Sequence, residues 1–242
     1  MNSKTLGSIV LAGLVSGSAG AQDVITTFDN GNEGWSVSGR DDISATGGNP
    51  GANMDVFLLD VFGAETRNNT NTDFLGDYTR YGNSIELTVD VKINSIHQGF
   101  NPGFELPREL VVDVRDYDND NGYPWTSVWF TLGLLHAPTN SDWATYSVII
   151  DDTSATDLPA GWGGYGDEDP NTFEPVLPDG RTFASVLSSV DELAFTTFVP
   201  GFFFGFTNFD MQVDNVGIRT IPAPASLGLV ALGGLAASRR RR

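Results

Sequence analysis

Ser84-Ile85-Glu86-Leu87-Thr88-Val89-Asp90-Val91-Lys92-Ile93 alternates polar and apolar residues without a break. Side chains on a strand point to opposite faces with a period of two. The odd positions therefore face a core and the even positions face water, which marks a strand. Similar runs recur on both sides of it. Val24–Phe28, Trp35–Ser38 and the apolar Met54–Phe62 precede it. Leu110–Val114, Ser127–Leu132, Thr145–Ile150, Glu192–Thr197 and Met211–Ile218 follow. Loops rich in Gly, Asn, Asp and Pro separate them, and one helical turn fits Phe183–Ser189. Many short strands with turn residues between them predict an all-β antiparallel sandwich with long loops. Alternating βα units are absent, which excludes a Rossmann or TIM arrangement.

Composition agrees. The chain has 242 residues, 28 Gly, 16 Phe and no Cys. Hydrophobic residues make up 40%, enough for a core. Formal charge is -18, from 31 acids and 13 bases. All the acids fall between Asp23 and Asp214, with only eight bases between Asp23 and Thr220, a difference of -23. Such a body repels nucleic acid and anionic lipid and suits divalent cations.

The two ends are addresses and not fold. Lys4, the apolar run Leu6–Val15 and the small residues up to Ala19-Gly20-Ala21 form a secretory signal over residues 1–21. Cleavage after Ala21 leaves Gln22 first. At the other end, Ile221-Pro222-Ala223-Pro224 precedes an apolar run, Ala225–Ala237, and then Arg239, Arg240, Arg241 and Arg242. That run is short beside the roughly 20 residues of a relaxed membrane span. The Arg cluster would hold its end on the cytoplasmic side. The order reads as a weak, temporary membrane stop. Residues 22–220 are left as one domain, flanked by two terminal hydrophobic helices.

The tail resembles a PEP-CTERM sorting signal, carried by Pro222, Pro224, the short apolar segment and the Arg cluster. Ala223 stands where that motif has its central Glu. The resemblance implies an exosortase-type processing enzyme as partner. It also implies transient inner-membrane insertion, cleavage near Pro222–Pro224, and a secreted or cell-surface product. The body is similar to galactose-binding-like jelly rolls, including carbohydrate-binding modules and laminin IV-type domains. The landmarks are Phe28-Asp29, Gly34-Trp35, Thr46-Gly47-Gly48-Asn49-Pro50-Gly51, Asp142–Val148 and Val213-Asp214-Asn215-Val216-Gly217-Ile218. This resemblance implies a jelly roll whose first and last strands are neighbours. It also implies a structural calcium held by Asp29 and Asp214, whose carboxylates are the oxygen ligands that calcium prefers.

Candidate binding residues are aromatic. Flat rings stack on sugar faces. Trp125 in Tyr123-Pro124-Trp125, and Trp162 and Tyr165 in Trp162-Gly163-Gly164-Tyr165, stand in polar, Gly-rich surroundings. Trp35, Trp129 and Trp143 sit in strand patterns and read as core. Phe202-Phe203-Phe204-Gly205-Phe206 reads as core with a bulge at Gly205. Asp116–Gly122 has alternating acids, but Asn121 and Ser127 break the EF-hand pattern, so a solvated loop is expected. Neither His97 nor His136 belongs to a metal motif, and no Gly-x-Ser-x-Gly elbow occurs. The expectation is a non-catalytic surface or matrix protein contacting extracellular polysaccharide. The rivals are a polysaccharide hydrolase or lyase on the same scaffold, and a purely structural surface protein.

Overall fold

A computed structural model describes residues 23–38, 42–119, 121–139 and 141–222. The signal residues Ala19 and Ala21, the tail residues Pro224 and Arg239 to Arg242, and both terminal helices lie outside them. Of the sorting motif, Pro222 is described as exposed chain after the last strand. Among the described residues no helix is long and apolar enough to cross a membrane.

The fold is an antiparallel β-sandwich. In chain order its strands are β1 (Val24–Thr26), β2 (Trp35–Val37), β3 (Ile43–Gly48), β4 (Gly51–Val61), β5 (Glu65–Asn68), β6 (Ile85–Gln98), β7 (Asn101–Glu105), β8 (Arg108–Asp116), β9 (Thr126–Leu135), β10 (Ala144–Ile150), β11 (Trp162–Tyr165), β12 (Asp167–Glu168), β13 (Pro175–Val176), β14 (Glu192–Thr196) and β15 (Thr207–Thr220). A short helix α1 spans Phe183–Leu187, capped by Thr182, whose hydroxyl accepts from the Ser185 N–H. Sheet A runs β10-β6-β15-β4-β3, with β1 on β15 and β7 on β6. Sheet B runs β11-β9-β8-β14-β5-β2.

The two sheets close on one core, with Trp35 at its centre, edge-on to Phe74 at 5.0 Å. The alternating decapeptide is the first part of β6, and Ile85, Leu87, Val89, Val91 and Ile93 all point inward and are buried. Its even face is not all wet. Thr88 and Asp90 are buried too, because strands β10 and β15 flank β6 and a loop covers Asp90.

The last strand changes partner half-way along. On one side β15 pairs with β6 over nearly its whole length. On the other it pairs with β4 from Thr207 to Val213, then with β1 from Val216 to Ile218. The register shifts between Asp214 and Gly217, where Asn215 has φ of +47°. First and last strands are thus neighbours, as the jelly-roll resemblance implies.

The Phe-rich run corrects its sequence reading. Residues 202–206 belong to no strand, so nothing alternates them inward. Phe202, Phe203 and Phe206 are exposed, Phe203 by 76%. Two of them pack on Phe62, Phe206 stacked at 4.8 Å and Phe203 at 5.0 Å, and Phe202 packs on Phe204.

Candidate functional site

Sheet B carries its chemistry on the face away from the core. Cross-strand partners share a face. Register therefore places Arg67, Glu65, Glu192, Asp113, Arg115, Trp129 and Tyr165 together on the outer side. Val112, Val114, Leu193 and Phe195 alternate to the inner side.

Arg115 is the hub, only 2% exposed. Its Nε donates to Asp113 Oδ2 at 2.6 Å and its Nη2 to Glu65 Oε2 at 2.6 Å. Its Nη1 donates to Glu192 Oε1. Glu192 is buried, and its second oxygen accepts from Tyr117 Oη at 2.9 Å and Asn69 Nδ2 at 3.1 Å. Arg67 stands 3.4 Å from the same oxygen. Burial works against the Arg115 charge, but Asp113 and Glu65 outweigh it and hold the guanidinium further above its ordinary range.

Rings lie over this hub. The Arg115 guanidinium sits 4.3 Å from the Trp125 centroid. Tyr165 is 5.9 Å from Trp125, and Tyr123 meets Tyr165 edge-on at 5.5 Å. All three rings are partly exposed. Burial and the Asp113 carboxylate push the Tyr165 phenol up, so it stays a hydroxyl at neutral pH. The result is a cluster of flat rings with a charged, hydrogen-bonding floor.

Trp162 does not join this cluster, which corrects its place beside Tyr165. Trp162-Gly163-Gly164-Tyr165 forms an edge strand, and the pleat sends its first and last residues to opposite faces. Trp162 is 8% exposed and packs inward, 5.0 Å from Phe183 and 5.5 Å from Phe130. Its remaining edge lines a groove of about 440 Å³ with Ile149, Leu158 and Asp157. Trp162→Ala should therefore cost about 3–5 kcal/mol of stability. Tyr165→Ala should cost less than about 1.5 kcal/mol, and paired urea titrations separate the two. Trp129, expected in the core, instead shares the outer face with Tyr165 and donates to the Gly164 carbonyl at 3.4 Å.

The acidic loop after β8 behaves as a hydrogen-bonded loop. Asp116 is buried and paired with Arg181, and Asn119 Nδ2 donates to Trp125 O and Gly166 O, at 3.2 Å each. These bonds fix the entry to Trp125.

A second constellation forms where β15 exchanges β4 for β1. Asp214 of β15 lies directly opposite Asp90 of β6. The β3–β4 hairpin, with its cis Asn49-Pro50 bond, folds over both. Asn49 N donates to Asp214 Oδ2, and Asn49 Nδ2 donates to Asp90 Oδ2 at 3.0 Å. Asn215 Nδ2 reaches the same Asp90 oxygen at 2.8 Å, and Thr145 Oγ1 donates to Asp90 Oδ1 at 2.6 Å. Asp29, just past β1, accepts from Ala52 N at 3.0 Å. Gly51 has φ of +92°, and a Cβ there would stand 2.5 Å from Asp29 Oδ1, so this close approach requires glycine.

Asp29 and Asp214 thus meet around one hairpin, with Asp90 unforeseen between them. Among the described residues no Lys or Arg forms an ion pair with any of the three. Burial, with Asp90 and Asp29 nearby, raises the Asp214 carboxyl above its ordinary range. Carboxylates met only by neutral donors are hard oxygen ligands of the kind a divalent cation takes. Among the described residues no three His, Cys, Asp or Glu side chains are already grouped to hold a metal. Asp29 and Asp214 are two such carboxylates on either side of one hairpin.

No protein-family model matches the chain, and no curated protein matches it. Solved structures are similar to it at low identity. One is the C-terminal family 22 carbohydrate-binding module of Clostridium thermocellum Xyn10B, at 10% identity over 85% of this chain and 99% of that one, TM-score 0.44. Another is the family 11 carbohydrate-binding module of the cellulase Lic26A-Cel5E of Clostridium thermocellum, at 12% identity over 87% and 94%, TM-score 0.43. A third is the CBM22-1–GH10 xylanase structure from that bacterium, at 14% identity and TM-score 0.43, where the match covers 81% of this chain and 28% of that one.

Proposed function

We propose that this domain is a non-catalytic polysaccharide-contacting module of a secreted surface or matrix protein. The observation that carries this reading is the Trp125–Tyr165 ring pair above the buried Arg115 network. Rings supply stacking area for a sugar face, and Tyr165 and Arg67 supply hydrogen-bond donors for hydroxyls. Asp113, Glu65 and Glu192 share that face, but each is committed to Arg115. A hydrolase would need two acids flanking the bound sugar, one as a proton donor. Binding is therefore favoured over cleavage.

Calcium at Asp29 and Asp214 belongs to the same proposal. It would neutralise the buried Asp214 and the exposed Asp29 and lock the hairpin onto β15. Export through the signal and processing of the tail by an exosortase-type enzyme complete it. Mass spectrometry of the secreted product should find Gln22 at its start and an end near Pro222–Pro224.

Pull-down of the purified secreted protein on insoluble and matrix polysaccharides, with calcium present, tests the central claim. Retention without released sugar is expected. Trp125→Ala should weaken retention at least tenfold, about 1.4 kcal/mol. Tyr165→Ala should weaken it less. Released sugar, or unchanged retention in both variants, would overturn the reading.

A further inference from the structure

Arg108 is the second buried arginine, and its surroundings are the reverse of those of Arg115. It stands at the start of β8 and is 3% exposed. Its Nη2 donates to Thr207 Oγ1 and lies 3.5 Å from the Gly205 carbonyl. Its Nη1 lies 3.4 Å from the Pro107 carbonyl. The Nε–H has no partner. Among the described residues no carboxylate pairs with it, in a chain with 31 acids. A guanidinium has five donors, and here one firm acceptor meets them. Burying a cation without a counter-charge is costly unless something else supplies that charge.

Above it lies the aromatic segment. The guanidinium sits 4.3 Å from the Phe204 centroid, and Phe202 packs on Phe204 at 4.6 Å. Phe202 is exposed, and residues 202–206 form no strand that would lock them. Phe204, the ring that covers the guanidinium, is itself only partly buried. Thr207 starts β15, so this site is at the opposite end of that strand from the exit to Pro222.

We propose that Arg108 and the Phe202–Phe204 pair form an anion site for a carboxylate-bearing sugar, a uronate within an otherwise neutral chain. The planar fork suits a carboxylate with two oxygens. The rings suit the apolar face of the pyranose that bears it. The acidic body repels a densely charged polyanion, which limits the ligand to isolated uronates. This inference rests on the carbohydrate reading above, and deepens it.

The test uses the secreted protein and two probes: a xylo-oligosaccharide bearing one glucuronate, and the same chain with that carboxyl reduced. Titration calorimetry should find the acidic chain bound at least tenfold more tightly. Arg108→Met should erase that preference, with a melting temperature no lower than that of the wild type, because it removes an unpaired buried charge. Phe204→Leu, which keeps the arginine, should reduce the preference. Equal wild-type affinity for the two chains overturns the proposal and leaves the carbohydrate reading intact. Binding of neither chain, with no effect of acetate on the melting temperature, overturns the proposal, and the polysaccharide pull-down decides the carbohydrate reading separately. Acetate that raises the melting temperature of the wild type but not of Arg108→Met, with no sugar bound, supports the anion site and sinks the saccharide.

Discussion

Arg115→Ala is expected to destabilise the domain by about 3–5 kcal/mol, because it removes one partner from a buried network and strands the others. Glu192 is fully buried, Asp113 nearly so, and Glu65 largely so. Without the guanidinium they repel each other across one small face. Arg67 can answer only part of that charge, since it stands at 3.4 Å from Glu192 and is itself half in water. For a domain of this size the loss corresponds to a drop on the order of 10 °C in melting temperature. Arg115→Lys should recover little, because a single ammonium cannot bridge three carboxylates as a fork does. A measured loss under about 1 kcal/mol would mean that the network is far better hydrated than its burial implies. Trp125→Ala is the useful contrast. It takes the ring off the guanidinium but leaves the ion pairs, so it should cost binding much more than stability.

Calcium is expected to raise the melting temperature of metal-stripped protein by about 5–10 °C at a concentration of roughly 100 times its dissociation constant. That is the effect of about 2.7 kcal/mol of linkage on a domain of this size. Asp29→Asn should abolish most of the rise. In metal-stripped protein the same change should be almost silent. The amide oxygen can still accept from Ala52 N, and the amide nitrogen can donate to Thr27 Oγ1, which now donates to Asp29 at 3.2 Å. Asp90→Asn should leave metal-stripped protein as stable as the wild type or more so, since it relieves repulsion with Asp214 and keeps all three of its hydrogen bonds. Equal melting temperatures in calcium and in chelator would remove the metal from the account.

The residues differ in how openly they declare themselves. The decapeptide at Ile85 announced a strand because a half-buried strand needs alternation and little else. The pairing of Asp29 with Asp214 was legible only through a resemblance, and the structure supplies its cause, the change of partner along β15. Asp90 was hidden because it occupies a position that periodicity assigns to water. Trp162 and Tyr165 were grouped because both stand in Gly-rich surroundings where a ring has no evident core role. In the fold the two glycines lie in an edge strand, where Gly163 leaves room for the Trp129 ring and Gly164 for Leu177. Arg115 and its acids were invisible as a set, since Glu65 is 50 residues and Glu192 is 77 residues away from it. One signal was available. Asp113 and Arg115 are charges two apart that alternate with Val112 and Val114, and such a pair must find partners on the same face.

The change of partner along β15 also has a mechanical meaning. That strand is clasped by β6 on one side and by β4 and then β1 on the other, and the chain leaves it at Thr220. Suppose the protein is held by its C-terminal end while a load pulls at the Phe203 pole. The force would then run along the covalent backbone of β15 from one end to the other, and the hydrogen bonds to β6, β4 and β1 would be spared. Load applied between these two points would cross the sandwich without prising its sheets apart.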